Sequence, residues 1–403
     1  MPRKIQTQSF FYSKNFLLFF FLAFILLIGF WILSKYEPDT KDFKQEKFSK
    51  FIPTATRALT LTPTTIKGTI YYVSPSGNDI NSGTNSTNAW KTIQKAIDAA
   101  KPGDGISLAS GIYTQDIITK TNGTKDAPIT IFGPKDAVIN GAGSARIFEI
   151  NHNFIVLKGF TLDGLFGNAD SKDGYRDKLL FVQGKGIREG VSGLKVLNMT
   201  FKNAAGECLR LRYFAHDNEV AGSTFGPCGI ADFKFPSDSK NGEGIYIGTS
   251  SNQWADGKNP TNDPDGSTRN WIHHNAFNTQ GNECVDVKEG AFDNTIEYNT
   301  CTGQKDPESG GFDSRGDKNI FRYNETYGNL GAGVRLGGHT VNDITYGKNN
   351  EVYGNTIQDN GNGALSIQVL PQGKICENKL SNNGKRIIAG INDSSIKPEN
   401  SCN

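Results

Sequence analysis

Short runs of alternating apolar and polar residues recur along most of the chain and are separated by glycine and asparagine. In the run "NECVDVKEG" (282–290), Val285 and Val287 alternate with Asp286 and Lys288, as in a strand with one buried face. Five such runs carry an asparagine at the same place, with spacings of 24, 25, 31 and 23 residues. These asparagines are Asn275, Asn299, Asn324, Asn355 and Asn378. Short β-branched strands at this period predict a solenoid of parallel strands, and not a leucine-rich repeat, whose leucine pattern is missing.

The asparagine column is interpreted as structural, because stacked side-chain amides hydrogen-bond from one coil to the next. Asn198, in "LKVLNMTF", falls in a similar frame. A solenoid also needs a cap over its first coil. The stretch "NAWKTIQKAIDAAKPGD" (88–104) has apolar residues at helical spacing and ends at Pro102-Gly103, which predicts an amphipathic capping helix. Its apolar face is formed by Trp90, Ile93, Ile97 and Ala100.

The N-terminal part of the chain is not predicted to belong to the solenoid. Phe16–Leu33 is an uninterrupted apolar run, long enough to cross a bilayer as a helix, and Arg3, Lys4 and Lys14 precede it. We expect an uncleaved membrane anchor with the N-terminus in the cytoplasm. A cleaved signal peptide is the alternative, and both place the remainder outside the cytoplasm. The predicted regions are a cytoplasmic tail (1–15), a transmembrane anchor (16–34), a Thr/Pro-containing linker (35–68) and the solenoid domain (69–403).

Composition narrows the class of function. The formal net charge of +2 gives no electrostatic case for nucleic acid, so we expect no such partner. An even number of cysteines in an exported chain permits disulfides, and the absence of a CxxC pair argues against zinc. From proximity in the sequence we expect the pairs Cys208–Cys228, Cys284–Cys301 and Cys376–Cys402. We expect the protein to be a monomer.

A second set of strands can be aligned in register from 206–212 to 361–367. Two inward columns are predicted to be mostly apolar, namely Leu209, Ile245, Val285, Phe312, Val334 and Ala364, and then Leu211, Ile247, Val287, Ser314, Leu336 and Ser366. The two outward columns are Arg210, Tyr246, Asp286, Asp313, Arg335 and Leu365, and then Arg212, Gly248, Lys288, Arg315, Gly337 and Ile367. Where the strands begin, Glu207, Glu243 and Glu283 form a third column.

The outward columns bring like charges onto neighbouring coils, which lie about 4.8 Å apart. Glu243, Glu283 and Asp286 are therefore predicted to converge on a hard divalent cation. An oxygen-only ligand set outside the cytoplasm favours Ca²⁺ as that cation. Lys288 and Arg315 fall in one column, and their repulsion is predicted to lower the pKa of Lys288.

Several stretches resemble a known group of proteins. "YYVSPSGND", the capping helix, "PGDGISLASGIYT" and "APITIFGP" look like the opening of right-handed parallel β-helix polysaccharide lyases. The resemblance implies an all-β, right-handed parallel β-helix over roughly residues 69 to 385.

Three further stretches are similar to the site of the chondroitinase B and alginate lyase family: "NGEGIYIG", "NECVDVKEGAFDNTIEYN" and "GGFDSRGDKNIFRYN". In that family a lysine is the base, an arginine follows one coil later, and asparagine and glutamates hold Ca²⁺. The resemblance assigns these roles to Lys288, Arg315 and Glu283. The family's second glutamate falls on Gly281, so Glu243, Asp286 or Asn241 has to replace it.

The resemblance and the charged columns together imply β-elimination on an anionic, uronic-acid polysaccharide of the alginate, pectate or glycosaminoglycan type. A cation neutralises the uronate carboxylate, a neutral lysine removes the C5 proton, and the arginine assists the leaving O4, whose proton comes from water or Tyr246. An insertion at 249–269 interrupts the repeat beside this face and is expected to form either a binding wall or a mobile loop without a role in binding. The expected substrate contacts are Arg212, Tyr246, Trp254, Arg335 and His339.

Two other functions fit the same face. A non-catalytic surface protein would bind glycans there without cleaving them. A glycoside hydrolase needs two carboxylates at a defined separation, and Asp286 and Asp313 share an outward column.

Overall fold

The structure, a computed structural model, describes residues 65–235, 237–384, 386–391 and 393–402. The predicted cytoplasmic tail (1–15), the predicted anchor (16–34) and the linker up to residue 64 lie outside the described residues. Within the described ranges, no helix combines the length and apolarity that a bilayer crossing needs.

Three parallel sheets run along the domain, and successive coils supply one strand to sheet A, then one to sheet B, then one to sheet C. Each strand pairs in parallel with its counterpart in the next coil. Sheet A comprises Ile70–Val73, Gly105–Leu108, Ile129–Phe132, Ile155–Lys158, Lys195–Leu197, Glu219–Ala221, Trp271–His273, Thr295–Glu297, Ile320–Arg322, Glu351–Tyr353 and Ile375–Cys376. The predicted solenoid of parallel strands is confirmed as a parallel β-helix. Right-handed winding is the one that parallel crossovers prefer.

Sheets B and C each contain ten strands. Sheet B comprises Gly111–Tyr113, Ala137–Ile139, Thr161–Asp163, Thr200–Lys202, Thr224–Phe225, Ala276–Asn278, Thr300–Thr302, Glu325–Tyr327, Thr356–Gln358 and Lys379–Ser381. Sheet C comprises Ile117–Ile118, Arg146–Ile150, Lys178–Gln183, Leu209–Arg212, Ile245–Ile247, Val285–Val287, Gly310–Ser314, Ala332–Leu336, Leu365–Ile367 and Ile388–Gly390. The remaining elements of the described residues are a hairpin of Thr340–Val341 with Ile344–Thr345, the α-helices Ile93–Ala99 and Ile230–Phe233, and the 3₁₀ turns Ser86–Asn88, Lys172–Gly174 and Ser251–Gln253.

The predicted capping helix is confirmed as Ile93–Ala99. Ile93, Ala96 and Ile97 are buried and join the single large core that fills the interior of the coils. Trp90 precedes the helix and stacks on Tyr71 of the first strand, with 4.9 Å between ring centroids. The helix therefore covers the apolar end of the first coil, as a solenoid cap must.

The predicted asparagine ladder is confirmed. Asn275 Nδ2 donates to Asn299 Oδ1 at 3.0 Å, and the same bond repeats down the column to Asn378. Asn198 does not belong to it, because Asn198 is exposed at positive φ and the ladder continues upstream through Ser223. Two more ladders were not predicted, and they contain Asn218, Asn270, Asn294, Asn319 and Asn350, and Asn329, Asn360 and Asn383.

The predicted register of sheet C is confirmed for five coils and is wrong at the sixth. Val334 pairs with Leu365 and not with Ala364, so Ser366 pairs with Arg335 on the outward side. A slip of one residue exchanges the two faces of a strand, and the observed register keeps Leu365 and Ile367 in the core. The three predicted disulfides are confirmed as Cys208–Cys228, Cys284–Cys301 and Cys376–Cys402.

Candidate active site

A polar cavity of about 350 Å³ lies on the outward face of sheet C. Its floor is formed by the strands Ile245–Ile247, Val285–Val287 and Gly310–Ser314, which the core valines and isoleucines hold in register. Alternation along these strands turns Tyr246, Asp286 and Asp313 outward in one row. The lining residues are Lys240, Asn241, Glu243, Tyr246, Ser250, Gln253, Asn282, Glu283, Lys288, Asp306, Glu308, Ser309, Arg315 and Arg335.

Three of the predicted carboxylates come together at this cavity: Glu243 and Glu283 line it, and Asp286 is buried beside Lys288 and Arg315. Glu243, Glu283 and Asp286 each offer an oxygen within 4.8 Å of the others, and all three side chains are buried. Among the described residues, Glu283 Oε2 and Asp286 Oδ1 have no hydrogen-bond partner, and neither has Asp313 Oδ1 beside them. Buried carboxylate oxygens without donors are costly, and an oxygen-only set of this kind fits Ca²⁺. The donor set therefore fits the predicted metal.

The pKa values of the three clustered carboxyl groups are shifted in different directions. Burial, together with the charges of Asp286 and Glu243, raises the pKa of Glu283 well above its ordinary value. Burial also raises the pKa of Glu243, to about 7, against the opposing charge of Lys288. The pKa of Asp286 is lowered, because Lys288 and Arg315 together outweigh the effect of its burial. One carboxylate thus keeps its charge while two neighbours resist ionisation.

Lys288 lines the cavity next to these carboxylates, but the prediction that its pKa is lowered is wrong. Burial and the Arg315 charge each act to lower the pKa of Lys288. The charges of Asp286, Tyr246 and Glu243 outweigh them, so its pKa is raised. Lys288 Nζ forms a close ion pair with Asp286 Oδ2, two residues earlier on the same face of the strand.

Arg315 and Arg335 follow on the next two coils, as predicted. Arg315 Nη2 lies 3.2 Å from Asp286 Oδ2, and Arg335 Nη1 forms a close ion pair with Asp313. The Nε atoms of both arginines are buried without a hydrogen-bond partner among the described residues. Buried guanidinium nitrogens and buried carboxylate oxygens without hydrogen-bond partners among the described residues therefore lie close together at this cavity.

Tyr246 lines the cavity, but its ring is covered. The Arg210 guanidinium lies 4.1 Å and Lys288 Nζ 4.4 Å from the ring centroid. Its hydroxyl accepts a hydrogen bond from the Ser250 backbone N–H at 3.2 Å. Tyr246 thus offers the cavity its hydroxyl and no open ring face for a sugar.

Asn241 also lines the cavity, with its backbone N–H and its amide both donating to Asp232 Oδ2 at 2.9 and 3.3 Å. Asn282 was not predicted as a site residue. Its Oδ1 is buried without a donor among the described residues, and it lines the cavity directly before Glu283. The sequence signal was its place beside the glutamate at the start of the strand.

Two predicted substrate contacts instead hold the wall together. Arg212 is buried, and its Nε donates to Asn259 Oδ1 of the insertion (249–269) at 2.6 Å. Trp254 is also buried; its Nε1 donates to Thr249 O at 2.9 Å, and its ring packs edge-on against Tyr346 at 5.7 Å. Neither is among the described residues that line the cavity. The insertion folds back on itself, which strand periodicity does not reveal.

The opposite edge of the cavity is closed by charged residues. Lys240 Nζ lies 2.8 Å from Asp306 Oδ1 and 3.1 Å from Glu308 Oε2. His339 lies on the insertion side, about half exposed, 3.2 Å from Ser251 Oγ. Lys240, Asp306 and Glu308 line the cavity, whereas His339, a predicted substrate contact, is not among the described residues that line it.

Gly281, where the lyase family carries a glutamate, has no room for a side chain. A Cβ there would lie 2.2 Å from the Cys228 carbonyl oxygen and 2.9 Å from that of Gly242. The loop closed by the Cys208–Cys228 disulfide occupies the space. Glu243, from the preceding coil, supplies the additional carboxylate instead.

Comparisons with known proteins agree with this fold. No family model matches the sequence. Lacto-N-biosidase of Bifidobacterium longum subsp. longum is 40% identical over 94 residues, which make up 22% of this chain and 6% of that protein. The chain therefore matches only a small part of that curated relative.

Solved structures extend the likeness over most of the domain. Alginate lyase from Paenibacillus sp. str. FPU-7 superposes with a TM-score of 0.59 at 19% identity, covering 74% of this chain and 96% of that one. Pectate lyase Pel9A gives 0.54 at 16% identity over 83% and 81% of the two chains. A lacto-N-biosidase of family GH136 from Eubacterium ramulus gives 0.52 at 14% identity over 80% and 68%. The resemblance to parallel β-helix polysaccharide lyases is confirmed at the level of the fold, which lyases and hydrolases share.

Proposed function

We propose that this protein is a polysaccharide lyase that cleaves an anionic, uronic-acid polymer by β-elimination outside the cytoplasm. One observation carries the proposal. Glu243, Glu283 and Asp286 converge to within 4.8 Å beside a cavity lined by Lys288 and Arg315, and Glu283 Oε2 and Asp286 Oδ1 have no hydrogen-bond partner among the described residues. We propose that residues 16–34 attach the protein to the membrane. If these residues are cleaved, the protein is secreted without an anchor.

The parts of the site have separate tasks in this mechanism. Glu243, Glu283 and Asp286, with Asn282, would hold Ca²⁺, which when bound supplies positive charge to the carboxylate of the sugar. Lys288 is the proposed acceptor of the C5 proton. Burial and Arg315 favour its neutral form, but the charges of Asp286, Tyr246 and Glu243 outweigh them and raise its pKa, so this role requires that those charges first be neutralised. Arg315 stabilises negative charge at the leaving O4, and the Tyr246 hydroxyl is the proposed proton donor there.

The proposal is tested by an ultraviolet assay over alginate, pectate and glycosaminoglycans, with and without chelator. The expected product carries a conjugated C4=C5 double bond that absorbs in the ultraviolet, and chelator abolishes the signal. Lys288→Ala is expected to lower kcat by about a thousandfold or more, because the base is removed. Lys195→Ala, an exposed lysine of sheet A paired with Glu219, is the matched control and retains full activity. An undiminished signal from Lys288→Ala would eliminate the proposed base.

A glycoside hydrolase is the second candidate, and the divided carboxylates favour it. A carboxyl with a raised pKa beside one with a lowered pKa, here Glu283 and Asp286, is the arrangement of a general acid and a nucleophile. The similarity to lacto-N-biosidases points the same way. Reducing ends released without any ultraviolet gain would select this candidate. Binding without cleavage across the whole panel would select a glycan-binding surface protein.

A further inference from the structure

Glu289 is a buried carboxylate that neither proposed mechanism uses. It follows Lys288 directly and is fully inaccessible to solvent. Burying a carboxylate costs free energy unless neighbouring groups compensate its charge. The groups around Glu289 therefore indicate its role.

Those groups come from separate parts of the chain. Glu289 Oε2 accepts the backbone N–H of Ser251 at 3.1 Å, at the start of the insertion. Glu289 Oε1 lies 3.1 Å from His339 Nδ1, in the loop that leads to the hairpin, but it has no hydrogen-bond partner among the described residues. The same oxygen lies 3.8 Å from Arg315 Nη1. A single side chain thus joins the insertion, the hairpin loop and the proposed active-site arginine.

Arg315 is held from two sides by this arrangement. Its Nη2 meets Asp286, and its Nη1 faces Glu289. A guanidinium is planar, so the hydrogen bond of Nη2 to Asp286 and the electrostatic attraction of Nη1 to Glu289 together favour one orientation of Arg315. Asp286 also binds Lys288 and belongs to the proposed metal site, whereas Glu289 is outside the carboxylate cluster.

We propose that Glu289 is a positioning residue, which fixes the orientation of Arg315 and ties it to the wall built by the insertion and the hairpin loop. One side chain then fixes both the position of the wall and the orientation of Arg315. The proposal rests on the proposed role of Arg315, and it holds for any reaction in the cavity that uses this guanidinium.

The test is a double-mutant cycle on the full-length protein. Glu289→Gln keeps the shape and the acceptor for Ser251 but removes the charge facing Arg315 and His339. We expect kcat to fall by about 10 to 100-fold with KM changed less than about threefold, since misplacement of a reacting group lowers kcat. In an Arg315→Ala background, Glu289→Gln is expected to have less than about a twofold further effect, because the residue acts through Arg315.

Equal loss in both backgrounds would overturn the proposal, because Glu289 would then act independently of Arg315. Glu325→Gln is the matched control, a half-buried glutamate of sheet B, and it is expected to leave kcat and KM unchanged. Glu289→Asp is expected to recover part of the loss, since the charge returns at a shorter reach.

A second measurement does not depend on catalysis. Hydrogen exchange of the amides at 250–254 and 337–340 is expected to be about tenfold faster in Glu289→Gln and in Arg315→Ala than in the wild type or Glu325→Gln. Unchanged protection in Glu289→Gln would overturn the proposal whatever the activity. A wild-type protein that cleaves none of the glycans would refute the proposed function, while the exchange result would still decide the role of Glu289.

Discussion

Two kinds of polar stack run along this β-helix at the same coil spacing, and they behave in opposite ways. In the asparagine ladder every amide both donates and accepts, so Asn299 Nδ2 reaches Asn324 Oδ1 while Asn299 Oδ1 accepts from Asn275. In the carboxylate cluster, ionised groups only accept. Glu283 Oε2, Asp286 Oδ1 and Asp313 Oδ1 are accordingly left without donors among the described residues.

The difference lies in the chemistry of the stacked groups and not in the backbone, which pairs in the same parallel way in both places. An amide is self-complementary, so a column of amides is complete within the chain. A column of carboxylates is complete only when something else supplies positive charge, either a proton or a cation. The column of amides stabilises the fold, whereas the column of carboxylates leaves acceptor oxygens that a proton or a cation can satisfy.

A carboxylate placed in the amide stack is expected to give the largest effect. Asn299→Asp keeps the acceptor for Asn275 but loses the two donors to Ile272 O and Asn324 Oδ1 and adds a buried charge. We expect the free energy of unfolding to fall by about 3–5 kcal/mol, measured by urea denaturation. Asn278→Asp, at an exposed position of sheet B, is the matched control and is expected to change it by less than about 0.5 kcal/mol. Equal effects of the two substitutions would show that the ladder is not a structural stack.

Metal binding gives the next largest effect. A cation that completes the carboxylate cluster binds only the folded protein, so Ca²⁺ at a hundredfold excess over Kd is expected to stabilise it by about 2.7 kcal/mol. Calorimetric titration and thermal unfolding, each with and without chelator, measure this. Glu283→Gln is expected to abolish the Ca²⁺ response and, in chelator, to be at least as stable as the wild type, because a neutral amide replaces a carboxyl whose burial already opposes ionisation. An unchanged Ca²⁺ response in Glu283→Gln would place the metal elsewhere.

The same contrast explains what the sequence can predict. The ladder follows from an asparagine column at a fixed period, and the convergence of Glu243, Glu283 and Asp286 follows from strand alternation within aligned coils. The disulfides and the capping helix follow from equally local signals. Each of these features depends only on position within a repeat.

What could not be predicted depends on how irregular parts of the chain fold back. The path of the insertion determines that Arg212 and Trp254 are buried in the wall. The loop next to Gly281 determines that no side chain fits there. The raised pKa of Lys288 results from a competition between burial and neighbouring charges. The alignment of residues in a column does not give the relative size of these two effects.

The pH dependence of stability is a smaller effect of the cluster. The pKa of Glu243 is raised from 4.5 to about 7 in the folded state. Its stabilising contribution is therefore fully present below pH 4.5 and is lost as the pH rises through 7. In chelator, the wild type is expected to lose about 2 kcal/mol relative to Glu243→Gln between these pH values. The comparison cancels other groups, such as His152, whose pKa is lowered by burial. A constant difference between the two proteins across this range would contradict the assignment, and saturating Ca²⁺ should remove the dependence.

The smallest effect is expected when an amide is placed in the carboxylate row. Asp313→Asn keeps an oxygen for Arg335 and adds a donor toward the unsatisfied oxygens of the cluster. We expect the free energy of unfolding to change by less than about 1 kcal/mol and lyase activity to stay within about tenfold of the wild type. Asp286→Asn is the matched comparison on the adjacent coil, and we expect it to abolish activity because Asp286 faces Glu243, Lys288 and Arg315. Complete loss of activity in Asp313→Asn would contradict this expectation, because Asp313 would then be needed for the reaction. If the wild type released reducing ends without ultraviolet gain and both variants lost that activity, Asp286 and Asp313 would be the catalytic pair of a hydrolase.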